Sequence, residues 1–197
     1  MEYIVAAESD IGIAKSVNQD SLCVKVAETE LGNAALLLIC DGMGGLAMGE
    51  LASAEVVQSF AEWFENDFPK HLRSFDREDI ARQVAELLSS LNEKLIAYGE
   101  ANRLTMGTTA TGMIIFNQQY LSFHVGDTRI YKVSHQLSCL TEDHTFVNRE
   151  VKFGRMTPQQ AEKDPRRNAL TQCIGAAGGA EFLRTSTQEL LRSALIT

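Results

Sequence analysis

The residue pattern predicts an α+β layer fold, with antiparallel sheets packed on one another and helices covering the outside. Three observations carry this. Short apolar or alternating runs near the N-terminus read as strands, two long stretches with helical periodicity follow, and after Gly107 the strand pattern returns.

Tyr3 to Ala7, Ser21 to Ala27 and Ala34 to Cys40 are the first three strands, separated by polar or Gly-containing connections. The last is apolar throughout, as suits a strand covered on both faces. From Ala47 to about Phe64 the period changes: Leu51, Ala54, Val57, Phe60 and Phe64 recur at helical spacing, and Trp63 widens the stripe. A polar break at 69–76 precedes a second helix with Ile80, Val84, Leu87, Leu88, Leu91, Leu95 and Tyr98 on one face, and Asp76 or Asp79 available near its start. Thr108 to Asn117 and Tyr120 to Val125 are then strands joined at 117–119, followed by Arg129 to Val133 and Gln136 to Leu140, so that 108–140 reads as a meander. Thr145 to Phe153 and Thr157 to Lys163 read as short helices, the second opened by Thr157-Pro158.

The chain of 197 residues suits one domain with a substantial core. Its 45% apolar and 22% charged content are those of a globular protein, and no apolar run reaches the roughly 18 residues of a membrane helix. Met1 to Val5 lacks a basic, then apolar, secretory signal, so a cytoplasmic location without membrane attachment is expected. Eighteen basic against 26 acidic residues give a charge of −8, with no strong Lys/Arg cluster, which argues against a nucleic-acid partner. Cys23, Cys40, Cys139 and Cys173 form no Cys-x-x-Cys pair and are read as reduced and structural.

Asp41-Gly42-Met43-Gly44-Gly45 closes the apolar third strand. It throws a carboxylate off a buried strand and breaks at once into glycines, which lets a hydrated cation or phosphate approach; Asp-Gly there serves equally as a turn. Three further segments have the same double reading: Lys15 to Asp20 before a strand, Gly107 to Thr109 at the start of one, and Gly126 to Arg129 between two. His124 and His144 are read as structural, and His71 and His135 as surface residues.

Taken in order, these segments resemble the motifs of the PPM-type (protein phosphatase 2C-like) metal-dependent serine/threonine protein phosphatases in their bacterial form. Lys15 to Asp20 is similar to the family's Arg-x-x-Asn-Glu-Asp, Asp41 to Gly45 to Asp-Gly-Met-Gly-Gly, and Gly107 to Ala110 to Gly-Thr-Thr-Ala. Val125 to Arg129 resembles Val-Gly-Asp-Ser-Arg, Leu140 to Thr145 Leu-Thr-x-Asp-His-Ser, and Asn168 to Gly175 Asn-x-Leu-Thr-x-Ala-Leu-Gly. The resemblance implies a sandwich of two antiparallel sheets flanked by helices (αββα) and a centre of two Mn2+ or Mg2+ ions. It implies metal ligation by Asp41, the Gly42 carbonyl and Asp20, with a third ion at Asp127, and phosphate binding by Lys15. The implied activity is hydrolysis of phosphoserine and phosphothreonine in proteins by a metal-activated water, with no side-chain nucleophile, and the implied partner is a phosphoprotein substrate, a serine/threonine kinase or its targets. The segment from Thr145 to Asn168 matches the family's variable flap, where substrate choice is expected to reside.

Three positions depart from the family. Lys15 replaces an arginine and loses its bidentate fork; Gln19 replaces a glutamate; and Met43 leaves no histidine to carry over as general acid. The largest departure follows 175–182, where the family's later Asp-Gly and Asp-Asn motifs do not occur. The expectation is a single phosphatase domain over 1–197 whose last strands are missing through a frameshift or early stop, with residues from about 183 foreign to the family and a bare sheet edge. The alternative function is a phosphatase-like binding or regulatory protein that is catalytically impaired.

Overall fold

The computed structural model describes residues 3–13, 15–43, 48–175, 186–189 and 194–196. Gly44, Gly45, the helix start expected at Ala47 and most of the stretch from 183 lie outside these residues.

Strands β1 (Asp20–Thr29) and β2 (Gly32–Asp41) form a hairpin closed by a two-residue turn, paired from Thr29↔Gly32 to Asp20↔Asp41. Helices α1 (Gly49–Asn66) and α2 (Arg77–Asn102) follow, then β3 (Ala110–Phe116), β4 (Gln119–Val125), β5 (Ile130–Val133), β6 (Leu137–Cys139), α3 (Phe146–Lys152) and α4 (Pro158–Lys163). Two short strands, β7 (Ser186–Glu189) and β8 (Ala194–Ile196), complete the described elements. All pairings are antiparallel, in the orders β1-β2-β3-β4-β7 and β6-β5-β8.

The two faces of the larger sheet have different fates. Cys23, Leu36, Leu38, Ile114, Leu121 and Phe123 project to one side and form a single buried cluster with Val56, Phe60 and Trp63 of α1 and Ile80, Val84, Leu88 and Leu91 of α2. Phe60 stacks on Phe123 with ring centroids 4.8 Å apart. Burial of such side chains contributes about 1.5–3 kcal/mol each, and makes this the principal core. On the opposite face, Met113 and Tyr120 pack with Ile130 of the smaller sheet. By register that face continues through Leu37 to Val24, and through Ala35 to Val26, where Val24 is 37% and Val26 48% exposed. The smaller sheet therefore covers the β3–β4 half of the face.

Several expectations are corrected. Residues 3–7 form no strand; Tyr3 instead donates its hydroxyl to the carbonyls of Asn33 (3.0 Å) and Asn117 (2.9 Å). The buried stripe of α1 is Ala52, Val56, Phe60, Trp63 and Phe64, while Leu51 is exposed. The small residues Ala52 and Ser53 let the helix sit close to β1, which outweighs the larger Leu51. The break before α2 contains a 3-10 helix, Phe68–Ser74, that buries Phe68 and Leu72. Residues 108–140 are not one meander: β3 and β4 belong to the large sheet, β5 and β6 to the small one, and 126–129 carries the chain between them. β4 and β5 pair with β7 and β8, so the described sheets end at β1 and β7 and at β6 and β8. His71 is not a simple surface residue, since its Nδ1 lies 2.8 Å from Asp79 Oδ2. Among the cysteines Cys139 is exposed, whereas Cys23, Cys40 and Cys173 are buried.

Candidate metal centre

The β1–β2 register places Asp20 directly opposite Asp41, the last pair of the hairpin. Cross-strand partners hold their Cβ atoms about 4.5–5.5 Å apart, so the two carboxylates face one another. Asp41 remains open to solvent, yet its carboxyl is pushed up to about 6. Burial against the surrounding backbone is the largest cause, followed by a hydrogen bond to Asp20 and the Asp20 charge; Lys15 opposes the shift and Asp127 adds to it. Two hydrogen-bonded carboxylates require a shared proton or a cation between them.

Backbone contacts fix this pair. The Asp41 N–H donates to Thr109 Oγ1 (2.8 Å), and its carbonyl accepts from the Thr109 N–H (2.9 Å) and the Thr108 hydroxyl (3.0 Å). The segment 107–110 is thus a clamp on Asp41. Gly42 donates to the Gln19 carbonyl (3.1 Å), and a Cβ at Gly42 would lie 2.3 Å from that oxygen and 2.5 Å from the carbonyl oxygen of Gly49. Only glycine permits this approach. The start of α1 braces the same point: buried Ser53 donates to the Gln19 carbonyl (2.7 Å), and Gln19 Nε2 donates to Glu50 Oε2 (3.2 Å).

Asp127 is carried by the link between the two sheets. Gly126, at φ 118°, packs so closely on Thr109 that a Cβ would meet Thr109 Cγ2 at 2.4 Å, while the Thr109 and Thr128 hydroxyls are 2.8 Å apart. Burial, then the charge of Asp143, raises the Asp127 carboxyl, and Arg129 acts against them. Arg129 binds Asp143 through two parallel bonds, Nε to Oδ1 (2.7 Å) and Nη2 to Oδ2 (2.5 Å), a fork that joins the 125–129 motif to the 140–145 motif. His144 adds a second tie, its N–H donating to the Gly126 carbonyl (2.7 Å) and its Nδ1 accepting from the Gly126 N–H (3.1 Å). Buried His124 bridges Thr111 (2.8 Å) and the Glu142 carbonyl (3.1 Å). With Nε2–H donated to that carbonyl, Nδ1 accepts the threonine proton. Burial, then the His144 charge, holds His124 down to about 4, and it stays neutral.

The structure therefore brings Asp20, Asp41 and Gly42 together and sets Asp127 and Lys15 near enough to act on Asp41 electrostatically. Among the described residues no group of three or more His, Cys, Asp or Glu side chains is close enough to hold an ion. The donors present are oxygens, the set suited to hard divalent cations such as Mg2+ and Mn2+. Glu50 and Ser53 were not legible as residues near the site, and although Thr109 and Thr128 lie in candidate segments, their contact was not legible either. Glu50 lies on a helix whose pattern marks it only as a first-turn acid, and hydroxyl contacts across strands leave no periodic signal.

The family model described as Protein phosphatase 2C matches residues 13–179. A protein phosphatase 2C-type protein of Streptococcus pyogenes is 32% identical over 180 residues, covering 90% of this chain and 70% of its own. The protein phosphatase PhpP of Streptococcus pneumoniae is 29% identical over 85% of this chain and 65% of its own length, so the chain spans about two thirds of these relatives. Among solved structures, the serine/threonine phosphatase of S. agalactiae superposes with a TM-score of 0.79 at 30% identity, over 95% of this chain and 74% of its own. The catalytic domain of the serine/threonine protein phosphatase PstP in complex with 2 manganese ions gives 0.73 at 27% identity, over 96% and 73%. With these likenesses spanning both strand groups and the helices between them, the chain belongs to the protein phosphatase 2C family.

Proposed function

We propose that the protein hydrolyses phosphoserine and phosphothreonine in phosphoproteins made by a serine/threonine kinase, with divalent metal as cofactor. The observation that carries the reading is the Asp20–Asp41 pair: two carboxylates held face to face at the end of a rigid hairpin, in a family whose members are protein phosphatases. Asp20 and Asp41 would hold a divalent cation between them, with the Gly42 carbonyl beside them and Asp127 serving a further ion. Two such ions, when bound, supply an acidified water and neutralise charge on the phosphoryl group. The chain's own part is positional. Thr108 and Thr109 fix the Asp41 backbone, Ser53 fixes the Gln19 carbonyl, and the Thr109–Thr128 contact holds Asp127's loop against the same strand. Lys15, whose charge already acts on Asp41, would attract the substrate phosphate as a point charge. No helix among the described residues is long and apolar enough to cross a membrane.

The test is turnover of an aryl phosphate and of a phosphothreonine peptide with added Mn2+, comparing the protein with Asp41→Asn. Metal-dependent turnover that falls about 100-fold or more in the variant is expected. Turnover that persists in chelator would refute the reading. A folded protein that binds the phosphopeptide without turnover would establish the other one, a phosphatase-like binding or regulatory protein.

A further inference from the structure

Basic charge is concentrated on one module. Residues 146–168 carry Arg149, Lys152, Arg155, Lys163, Arg166 and Arg167 against Glu150, Glu162 and Asp164, a local charge of +3 in a chain of −8. All six basic residues are exposed. Two of the three acids lie beneath them, with side chains only 15% (Glu150) and 11% (Asp164) exposed.

The guanidinium groups are also held in place. Glu150 anchors Arg155 at 3.1 Å and Arg149 at 3.6 Å. Asp164 accepts two bonds from Arg166, at 3.0 Å from Nε and 2.9 Å from Nη2. The Phe146 ring has Arg166 4.1 Å and Arg149 5.5 Å from its centroid, and Arg155 lies 4.8 Å from that of Phe153, itself 65% exposed. A guanidinium has five N–H donors, so an arginine oriented by one carboxylate and one ring keeps donors for a second anion and loses less freedom in binding it. Lys163 and Arg167 make no ion pair among the described residues.

The module springs from the candidate metal centre. Its ends meet where Thr145 bridges Leu170 and the Phe146 N–H donates to the Ala169 carbonyl (2.8 Å), and His144 just before it is bonded to Gly126, next to Asp127.

We infer that the exposed face of residues 146–168 is a docking surface for a carboxylate-rich segment of a partner protein. The partner's being the substrate rests on the phosphatase reading. Electrostatic complementarity of this kind chiefly sets partner choice and association rate, and it weakens with salt.

The experiment is fluorescence anisotropy of a labelled, unphosphorylated Glu/Asp-rich peptide with the full chain and no metal, beside a neutral peptide of equal length. The acidic peptide is expected to bind more tightly and to lose affinity as salt rises to about 0.3 M. Lys163→Glu/Arg167→Glu should weaken it about 10-fold or more while leaving the circular dichroism spectrum and aryl phosphate turnover unchanged. Arg166→Lys, which keeps the charge but loses the fork and the ring contact, should fall between the two. Equal affinity for both peptides, indifference to the charge reversal, or displacement by an oligonucleotide of equal charge at lower concentration would each overturn the proposal. The two readings separate cleanly. Absent aryl phosphate turnover removes the catalytic one and leaves the anisotropy to decide docking, whereas turnover without preference for the acidic peptide removes docking alone.

Discussion

Gly126→Ala tests the claim that Asp127's loop is locked onto the Asp41 strand through Thr109. The new methyl would sit 2.4 Å from Thr109 Cγ2 and 2.6 Å from its Cβ. Ordinary carbon contacts lie near 3.5–4.0 Å, so one side must retreat by about 1 Å. Thr109 cannot rotate away freely, because its hydroxyl is engaged by the Asp41 N–H and by Thr128; losing those bonds costs about 1 kcal/mol each. Backbone strain at φ 118° adds about 1–3 kcal/mol for a residue with a Cβ. The total, about 3–5 kcal/mol, is a large part of the roughly 5–15 kcal/mol that holds a domain together. Urea unfolding should show a much lower midpoint with little change in slope. Adding Thr109→Ser removes the nearer clash while keeping the hydroxyl, and should recover part of the loss. A single variant within about 1 kcal/mol of the parent, or a double variant no better than the single, would refute the reasoning.

Three further outcomes are expected. His124 has its folded pKa depressed to about 4, below the ordinary 6.5, so the unfolded chain takes up a proton first as pH falls. Stability should drop between about pH 6.5 and 4, by up to about 3 kcal/mol, and urea midpoints of His124→Gln should be flatter across that window. Asp143→Asn breaks the fork with Arg129, at a cost of about 1–2 kcal/mol, and removes a negative charge from Asp127, whose carboxyl should titrate lower by NMR. Asp76→Ala removes the cap that accepts the Glu78 N–H (2.9 Å) and Asp79 N–H (3.4 Å), and should cost about 1 kcal/mol in thermal or urea unfolding.

Where one local rule dominates, the residue string was enough. An apolar run ended by Asp-Gly marks the close of β2, and the polar break before the Ile80 stripe marks the start of α2, where of the two aspartates on offer Asp76 is the cap. Period-two alternation, however, says that a segment is extended without saying which sheet it joins, so the passage from β4 to β5 through Gly126 was invisible. Tyr3 to Ala7 shows the converse: suitable residues form no strand where no edge among the described residues pairs with them. The phase of α1 differs from the one its largest side chains suggest, because close approach at Ala52 and Ser53 decides it. The motif order singles out Asp20, Asp41 and Asp127 as candidate ligands, whereas the contacts of Glu50, Ser53 and the Thr109–Thr128 pair depend on atoms meeting across elements far apart in the chain.

The β1–β2 hairpin also bears on the order in which the protein forms. Its two strands are joined by a turn of two residues, and the Asp20–Asp41 pair lies at the far end, nine register steps from Thr29↔Gly32. Local pairings of this type form in about 1–10 μs, well ahead of contacts that must close long loops. A hairpin zipping outward from its turn gathers the β2 apolar run first and meets the carboxylate repulsion only in its final pair. Like charges at that pair leave the nucleus untouched and make the last step the one most responsive to protons and divalent cations.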